Sequence, residues 1–268
     1  MTQDLKLATD KMIARREGHV GWMVFNNPAK HNAVSFEMWQ AAEAILDAFA
    51  KDPEVRVVVV TGAGEKSFVS GADISKFDDE RAREEAVQRY NAQTEAIYDG
   101  LHGFPKPTIA MIRGYCIGGG LGLAVACDIR ICSESSKFAL PAAKLGLGYG
   151  FNPLKRLCDV VGPAFAKEIF FTARQFTAEE ARSMGLVNRV VPETELETFV
   201  KGYADTIAMN APLTIGTAKF VFRQLFNDPS DRDLDECARR VKDCFASEDY
   251  AEGRRAFMEK RKPAFKGR

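Results

Sequence analysis

The stretch that most constrains this chain runs from Gly114 to Asp128, where three consecutive glycines, Gly118, Gly119 and Gly120, join one apolar run to another. The pattern predicts a strand ending in a loop that opens directly into an apolar helix. Glycines in such a loop reach backbone conformations closed to other residues, and they let a ligand approach the main chain. The first amides of a helix lack intrahelical acceptors and sit at the positive end of its dipole, so they suit a developing negative charge. Close helix packing accounts for the same glycines equally well.

A second stretch adds weight to the ligand reading. Val57 to Val60 form a β-branched run ended by Thr61-Gly62-Ala63-Gly64, and Phe68-Val69-Ser70-Gly71-Ala72-Asp73-Ile74 follows. This predicts a buried strand, a turn, and another loop of small residues entering a helix. Two such loops, each donating one amide to a single oxygen, meet the requirement of an oxyanion hole.

The remaining pattern alternates. Lys11–Arg16 and Val20–Phe25 read as strands around a Glu17-Gly18 turn, and Ser35 opens an amphipathic helix through Ala50. Lys106–Ile112, Ile129–Cys132 and Lys137–Leu140 are further short strands, so the fold class is α/β. The charged segment Ser75–Tyr98 reads as a solvated surface helix. From Val160 the pattern is helical, with a Thr-Ala-Glu-Glu capping signal at Thr177, an extended piece at Val190–Pro192, and helices over 195–209, 212–226, 233–245 and 249–260. Residues 1–200 are expected to form an α/β core and 201–268 a helical region.

With 268 residues, 46% of them hydrophobic, the chain suits one large domain or a domain with an appendage. Its 37 basic and 37 acidic residues give no general attraction to nucleic acid. No apolar run approaches a membrane span, and Asp4, Lys6, Asp10 and Lys11 interrupt any signal-peptide core, so a cytoplasmic location is expected. Cys116, Cys127, Cys132, Cys158, Cys237 and Cys244 form no Cys-x-x-Cys pair, and His19, His31 and His102 are scattered. Reduced core thiols are expected, with no metal site.

Asn32-Ala33, Ser70 to Ile74, Lys106-Pro107, Gly114 to Asp128, Gly185-Leu186-Val187 and the tail from Ser247 to Gly267 together resemble the crotonase (enoyl-CoA hydratase/isomerase) family along nearly the whole chain. The resemblance implies a spiral of ββα units with a C-terminal helical trimerisation region. It also implies a coenzyme A thioester as substrate, no separate cofactor, and a homotrimer or a homohexamer of two trimers. Ala72 and Gly119 match the family's two backbone donors to the thioester oxygen. Lys30, Ser70, Gly71, Asp73, Ile74 and Gly118 match the lining of its coenzyme A channel and hole, and Phe257 and Lys260 match positions that touch the nucleotide, often from a neighbouring subunit.

The chemistry departs from the family's hydratases. Hydration of a conjugated thioester needs a carboxylate to deprotonate water and an acid to protonate the α-carbon. The two positions where the hydratases carry glutamates are Gly122 and Ala142 here, and a third, used by some isomerases, is Gly150. Tyr149 resembles a tyrosine of the family's methylmalonyl-CoA decarboxylases, which carry a histidine where Ala72 stands. Decarboxylation starts without a base and needs only enolate stabilisation and a later proton. Two readings of Tyr149 stand, a catalytic group and a pocket wall with a backbone partner for its hydroxyl. Asp73 reads first as a helix N-cap and Asp128 as a structural hydrogen-bonding residue. The function expected is an acyl-CoA lyase or isomerase of unassigned reaction, the alternative being a catalytically silent acyl-CoA binder.

Overall fold

A computed structural model describes residues 2–73 and 84–268, and two sheets organise it. The strands are β1 (Thr2–Asp4), β2 (Met12–Glu17), β3 (Val20–Phe25), β4 (Val57–Gly62), β5 (Ser67–Val69), β6 (Thr108–Ile112), β7 (Tyr115–Ile117), β8 (Ile129–Ser133), β9 (Lys137–Ala139), β10 (Phe176–Thr177) and β11 (Arg189–Val191). The larger sheet has the order β1-β2-β3-β4-β6-β8-β11 and is parallel from β3 onward; the smaller has the order β10-β9-β7-β5. Consecutive strands therefore alternate between sheets: β4 and β5, β6 and β7, and β8 and β9 each place their first member in the large sheet and their second in the small one. With the helix that follows each pair, this repeats as the expected spiral of ββα units.

The valine run of β4 is continuous because both faces of its sheet are covered. Val58 and Val60 enter one core with Met23, Phe25, Ala110 and Ile112, under helix α1 (Phe36–Lys51). Val57 and Val59 enter a second core with Trp22, Ile109 and Ile131, under Leu196, Val200, Ala204 and Ala208. Those four residues lie at i, i+4, i+8 and i+12 of α6 (Leu196–Ala208), a single stripe.

The other helices are α2 (Glu84–His102), α3 (Gly119–Ala126), α4 (Phe151–Thr172), α5 (Ala178–Ser183), α7 (Pro212–Leu225), α8 (Leu234–Ala246) and α9 (Glu248–Met258). α3 is apolar on every side because six of its eight residues are buried inside the molecule. Thr177 and Glu180 form the capping box that the sequence signals, each satisfying the other's backbone N–H. The last four helices match the sequence reading closely. Helix α4 does not: it begins at Phe151, nine residues before the expected start, and it bends where Gly162 (φ 75°, ψ 163°) precedes Pro163. Among the described residues, no helix is long and apolar enough to cross a membrane.

Asn32 ties the loop before α1 to the strands beneath it. It is fully buried, with φ 54° in the left-handed region. Its carboxamide oxygen accepts the Asn27 N–H at 2.9 Å, and its NH2 group donates to the carbonyls of Ala63, Ser67 and Phe68 at 2.9, 2.8 and 3.2 Å. Replacing Asn32 with Ala strands these buried groups, and each unsatisfied group costs on the order of 1–3 kcal/mol. Asn32→Ala is expected to lower stability by about 2–4 kcal/mol in urea unfolding. A loss under about 0.5 kcal/mol contradicts this account.

Candidate active site

The two small-residue loops meet. Gly71 has φ 107°, and Gly118, which precedes α3, has φ 56° and ψ −115°. A Cβ built on Gly71 would lie 3.5 Å from the Gly119 nitrogen, and one built on Gly119 would lie 3.6 Å from the Gly71 Cα. No side chain separates the two backbones.

Their hydrogen bonding leaves two amides free. Val34 N–H donates to Gly71 O at 2.8 Å and Asp73 N–H to Val34 O at 3.0 Å, so Ala72 is held from both neighbours while its own N–H finds no acceptor among the described residues. Gly118 N–H donates to Ala139 O at 2.8 Å, whereas Gly119, the first residue of α3, has no acceptor for its N–H among the described residues. Ala72, Gly119, Gly71, Gly118 and Ser70 all line one cavity of about 790 Å³.

The cavity wall also contains residues the sequence reading placed on a plain surface. Val87, Tyr90, Thr94, Glu95 and Tyr98 of α2 line the cavity, and Tyr90, Ile97, Tyr98 and Leu101 are buried. The segment's charges mask a one-sided stripe at helical spacing, Val87, Tyr90, Thr94 and Tyr98, which was the signal available. The earlier part of that segment, residues 75–83, lies outside the described residues, as does Ile74.

Tyr98 stands over the first turn of α3. Its hydroxyl donates to Gly119 O at 3.0 Å, its ring meets Trp39 edge-on at 5.8 Å, and the Arg156 guanidinium lies 5.8 Å from its centroid. A Cβ on Gly122 would lie 3.0 Å from the Tyr98 Cζ and 3.1 Å from its hydroxyl. The ring thus occupies the space into which a side chain at position 122 would extend. Ala142 lines the cavity too and is buried, while a Cβ on Gly150 would meet nothing within 4 Å.

Among the described lining residues, Glu95 is the one carboxylate. The buried Arg156 binds it at 2.8 Å and binds Asp99 at 2.5 Å. Tyr149 lines the cavity and packs edge-on against Phe170 at 5.5 Å; its hydroxyl makes no hydrogen bond among the described residues, so the backbone partner expected for a pocket wall is absent. Lys30 donates to the buried Asp73 carboxylate at 2.9 Å. Phe257 and Lys260 do not line this cavity; Phe257 is 82% exposed and Lys260 is held at φ 52° after α9. Asp128 accepts from Thr108 and from Lys219, the structural role expected of it. Among the described residues, no three His, Cys, Asp or Glu side chains gather as a metal site.

The profile of the family described as enoyl-CoA hydratase/isomerase matches residues 15–268. The short-chain-enoyl-CoA hydratase of Clostridium acetobutylicum is 35% identical over 260 residues, covering 97% of this chain and 99% of that protein. The crotonyl-CoA hydratase of Syntrophomonas wolfei is 34% identical over 97% of this chain and 99% of its own length. Among solved structures, an enoyl-CoA hydratase/carnithine racemase from Magnetospirillum magneticum superposes with a TM-score of 0.90 at 36% identity, covering 97% of each chain. This chain belongs to the enoyl-CoA hydratase/isomerase family, the crotonase superfamily.

Burial sets the protonation of the groups around the site. It pushes the Tyr98 and Tyr149 phenols above their ordinary value of 10.0, Tyr98 well above it. It pushes the Cys127 and Cys132 thiols from 9.0 to about 12. The folded state keeps these protons while the unfolded chain releases them, so their contribution to stability is complete below the ordinary values and is lost as pH rises past them. The urea midpoint is expected to hold steady between about pH 7 and 8.5 and to fall from about pH 9 upward, with a shallower fall in Tyr98→Phe. A flat profile to about pH 11 contradicts the buried, protonated state of these groups.

Proposed function

We propose that this protein binds coenzyme A thioesters, stabilises the thioester enolate between the Ala72 and Gly119 amides, and breaks a bond at the α-carbon, as a decarboxylase or another acyl-CoA lyase. The observation that carries the reading is the pair of amides, without acceptors among the described residues, where two backbones meet at the wall of a cavity. Preorganised donors of this kind favour the species in which negative charge has developed on oxygen. The thioester class is taken from the hydratases that the chain resembles over nearly its full length.

Hydration is disfavoured by the same cavity. Gly122 and Ala142 stand where the family's hydratases carry their glutamates, and neither side chain moves a proton. Glu95 is engaged by Arg156. Departure of carbon dioxide from an α-carboxy thioester asks less of the site: the bond from the α-carbon to the carboxylate breaks, its electron pair enters the enolate, and one proton is needed afterwards. Tyr149 belongs to this site in the reading, as a catalytic group; Lys30, Ser70, Gly71, Asp73, Ile74 and Gly118 hold the thioester and pantetheine portion.

Each acid or base typically contributes a factor of about 10²–10⁴, so crotonyl-CoA hydration should be slower than in an ordinary hydratase by at least about 10⁴. Glutamates at positions 122 and 142 alone are not expected to restore it, because the Tyr98 ring blocks the first of them. The triple change Tyr98→Ala, Gly122→Glu and Ala142→Glu should hydrate crotonyl-CoA faster than the double change. Efficient hydration by the unaltered protein refutes the reading, and binding of acyl-CoA esters with no turnover of any of them supports the silent binder in its place.

Assembly completes the proposal, with residues 201–268 as the oligomerisation region of a homotrimer or hexamer. In α7 only Gln224 is buried, while Phe222, Leu225 and Phe226 are 63, 59 and 52% exposed, a surface that a neighbouring subunit would cover. The exposed Phe257 and Lys260 then meet the nucleotide of a neighbour's coenzyme A. Lys260→Ala should weaken coenzyme A esters several-fold more than the matching pantetheine thioesters, which lack the nucleotide phosphates. Equal losses, or a stable monomer by light scattering, count against it.

A further inference from the structure

An enolate released in this site needs a proton at its α-carbon, and the two carboxylates that the hydratases would use for such transfers are absent. The reading of the site as an enolate-stabilising centre therefore leaves one catalytic function without a group. Four side chains of the cavity wall carry chemistry that qualifies, Glu95, Tyr90, Tyr149 and Tyr98, of which Tyr90 donates to Val34 O at 3.2 Å and accepts from Trp39 Nε1–H at 3.0 Å, away from the hole. Glu95 is held by Arg156 at 2.8 Å, which turns its carboxylate to the guanidinium. Tyr149 leans on Phe170, and among the described residues no hydrogen bond ties its hydroxyl to the loops that form the hole. Tyr98 is different. Its hydroxyl rests 3.0 Å from Gly119 O and 3.1 Å from the Cβ positions of both Gly119 and Gly122, at the turn that presents the Gly119 amide.

We propose that Tyr98 replaces the missing acid of the glutamate position and delivers its hydroxyl proton to the α-carbon of the enolate held by Ala72 and Gly119. The inference rests on the enolate reading above. In the step, the enolate's electron pair forms the new C–H bond at the α-carbon, the thioester carbonyl re-forms, and the O–H bond of Tyr98 breaks to leave a phenolate. Water entering the open cavity then returns a proton to the phenolate.

Several features of the site fit this task. Burial keeps the phenol protonated at neutral pH, as a resting acid must be. The Arg156 guanidinium, 5.8 Å from the ring centroid, favours the transient phenolate electrostatically. The resting hydrogen bond to Gly119 O holds the hydroxyl beside the hole and, at about 0.5–1.5 kcal/mol net, is readily exchanged for a reacting carbon. Edge-on packing against Trp39 at 5.8 Å fixes the ring, so Tyr98→Phe preserves its contacts and removes only the hydroxyl.

The test compares the unaltered protein, Tyr98→Phe and Tyr149→Phe with malonyl-CoA and methylmalonyl-CoA in D2O. Carbon dioxide release gives kcat and KM, and NMR of the propionyl-CoA product reads the configuration of deuterium at its α-carbon. The unaltered protein should place deuterium in one configuration. Tyr98→Phe should lower kcat about a hundredfold or more with KM within about threefold, and should scramble that configuration, because solvent then protonates the enolate from either side. A merely structural role would shift KM and urea stability and leave the configuration intact. If Tyr98→Phe does not fold, global replacement of tyrosine by 3-fluorotyrosine in the Tyr149→Phe background substitutes for it, and an unchanged kcat there overturns the proposal. Retention of both rate and configuration in Tyr98→Phe, or loss of both in Tyr149→Phe alone, overturns the assignment while leaving the enolate reading standing. No carbon dioxide from either thioester with the unaltered protein overturns the enolate reading and this inference with it.

Discussion

The close approach of the Val69–Gly71 backbone to the first turn of α3 is the constraint on which the rest of this molecule depends. A Cβ on Gly120 would lie 2.0 Å from the Val69 carbonyl oxygen, a separation that no side chain tolerates. Because both segments leave strands of the small sheet, their separation is set by the pairing of β5 with β7 and, beyond it, of β7 with β9. The same sheet explains why the amides divide as they do: Gly118 is consumed by Ala139 O on β9, and Gly119, one residue later, is left facing the cavity. Packing and function are thus two readings of one contact.

Around this scaffold the cavity wall is rich in aromatic side chains, Trp39, Tyr90, Tyr98 and Tyr149 among them. Tyr98 can stand over Gly122 only because position 122 lacks a side chain, and the glycine in turn leaves a void that the ring fills. A glutamate brings a charge that must be solvated or paired in a partly apolar cavity, whereas a buried phenol stays neutral and needs one acceptor, found here in Gly119 O. Arg156 holds the remaining acid of the wall, Glu95, in an ion pair at the side of the cavity.

Much of this was legible from the residues themselves, for physical reasons that differ along the chain. Glycine triplets and β-branched runs announce backbone conformations directly, so Gly118–Gly120 and the valines of β4 pointed to the loops and to a buried strand. Thr177 with Glu180 announced a helix start through side-chain chemistry that acts within four residues. In the small sheet the strand before the glycine triplet and Lys137–Leu140 were legible, but its strands are two or three residues long, too short for periodicity to show that they form a second sheet. The first half of α4 has no clean helical pattern, because Pro153 stands in its opening turn and Gly162 before Pro163 bends it. Tyr98 was hidden for another reason: its helix is charged on the outer face, and a composition reading averages the two faces together. The identity of Gly122 and Ala142 was plain in the sequence, but that a ring fills the space before Gly122 is a three-dimensional fact with no local signature.

The account's central claim is that the Ala72 and Gly119 amides form one hole and that Tyr98 faces the carbon beside it. A crystal structure of the protein with bound butyryl-CoA tests it most directly. The account predicts the thioester oxygen within about 3 Å of both nitrogens, with the Tyr98 hydroxyl closer to the α-carbon than any carboxylate. A thioester carbonyl seated away from either amide, or an α-carbon met by Glu95 rather than Tyr98, would contradict it.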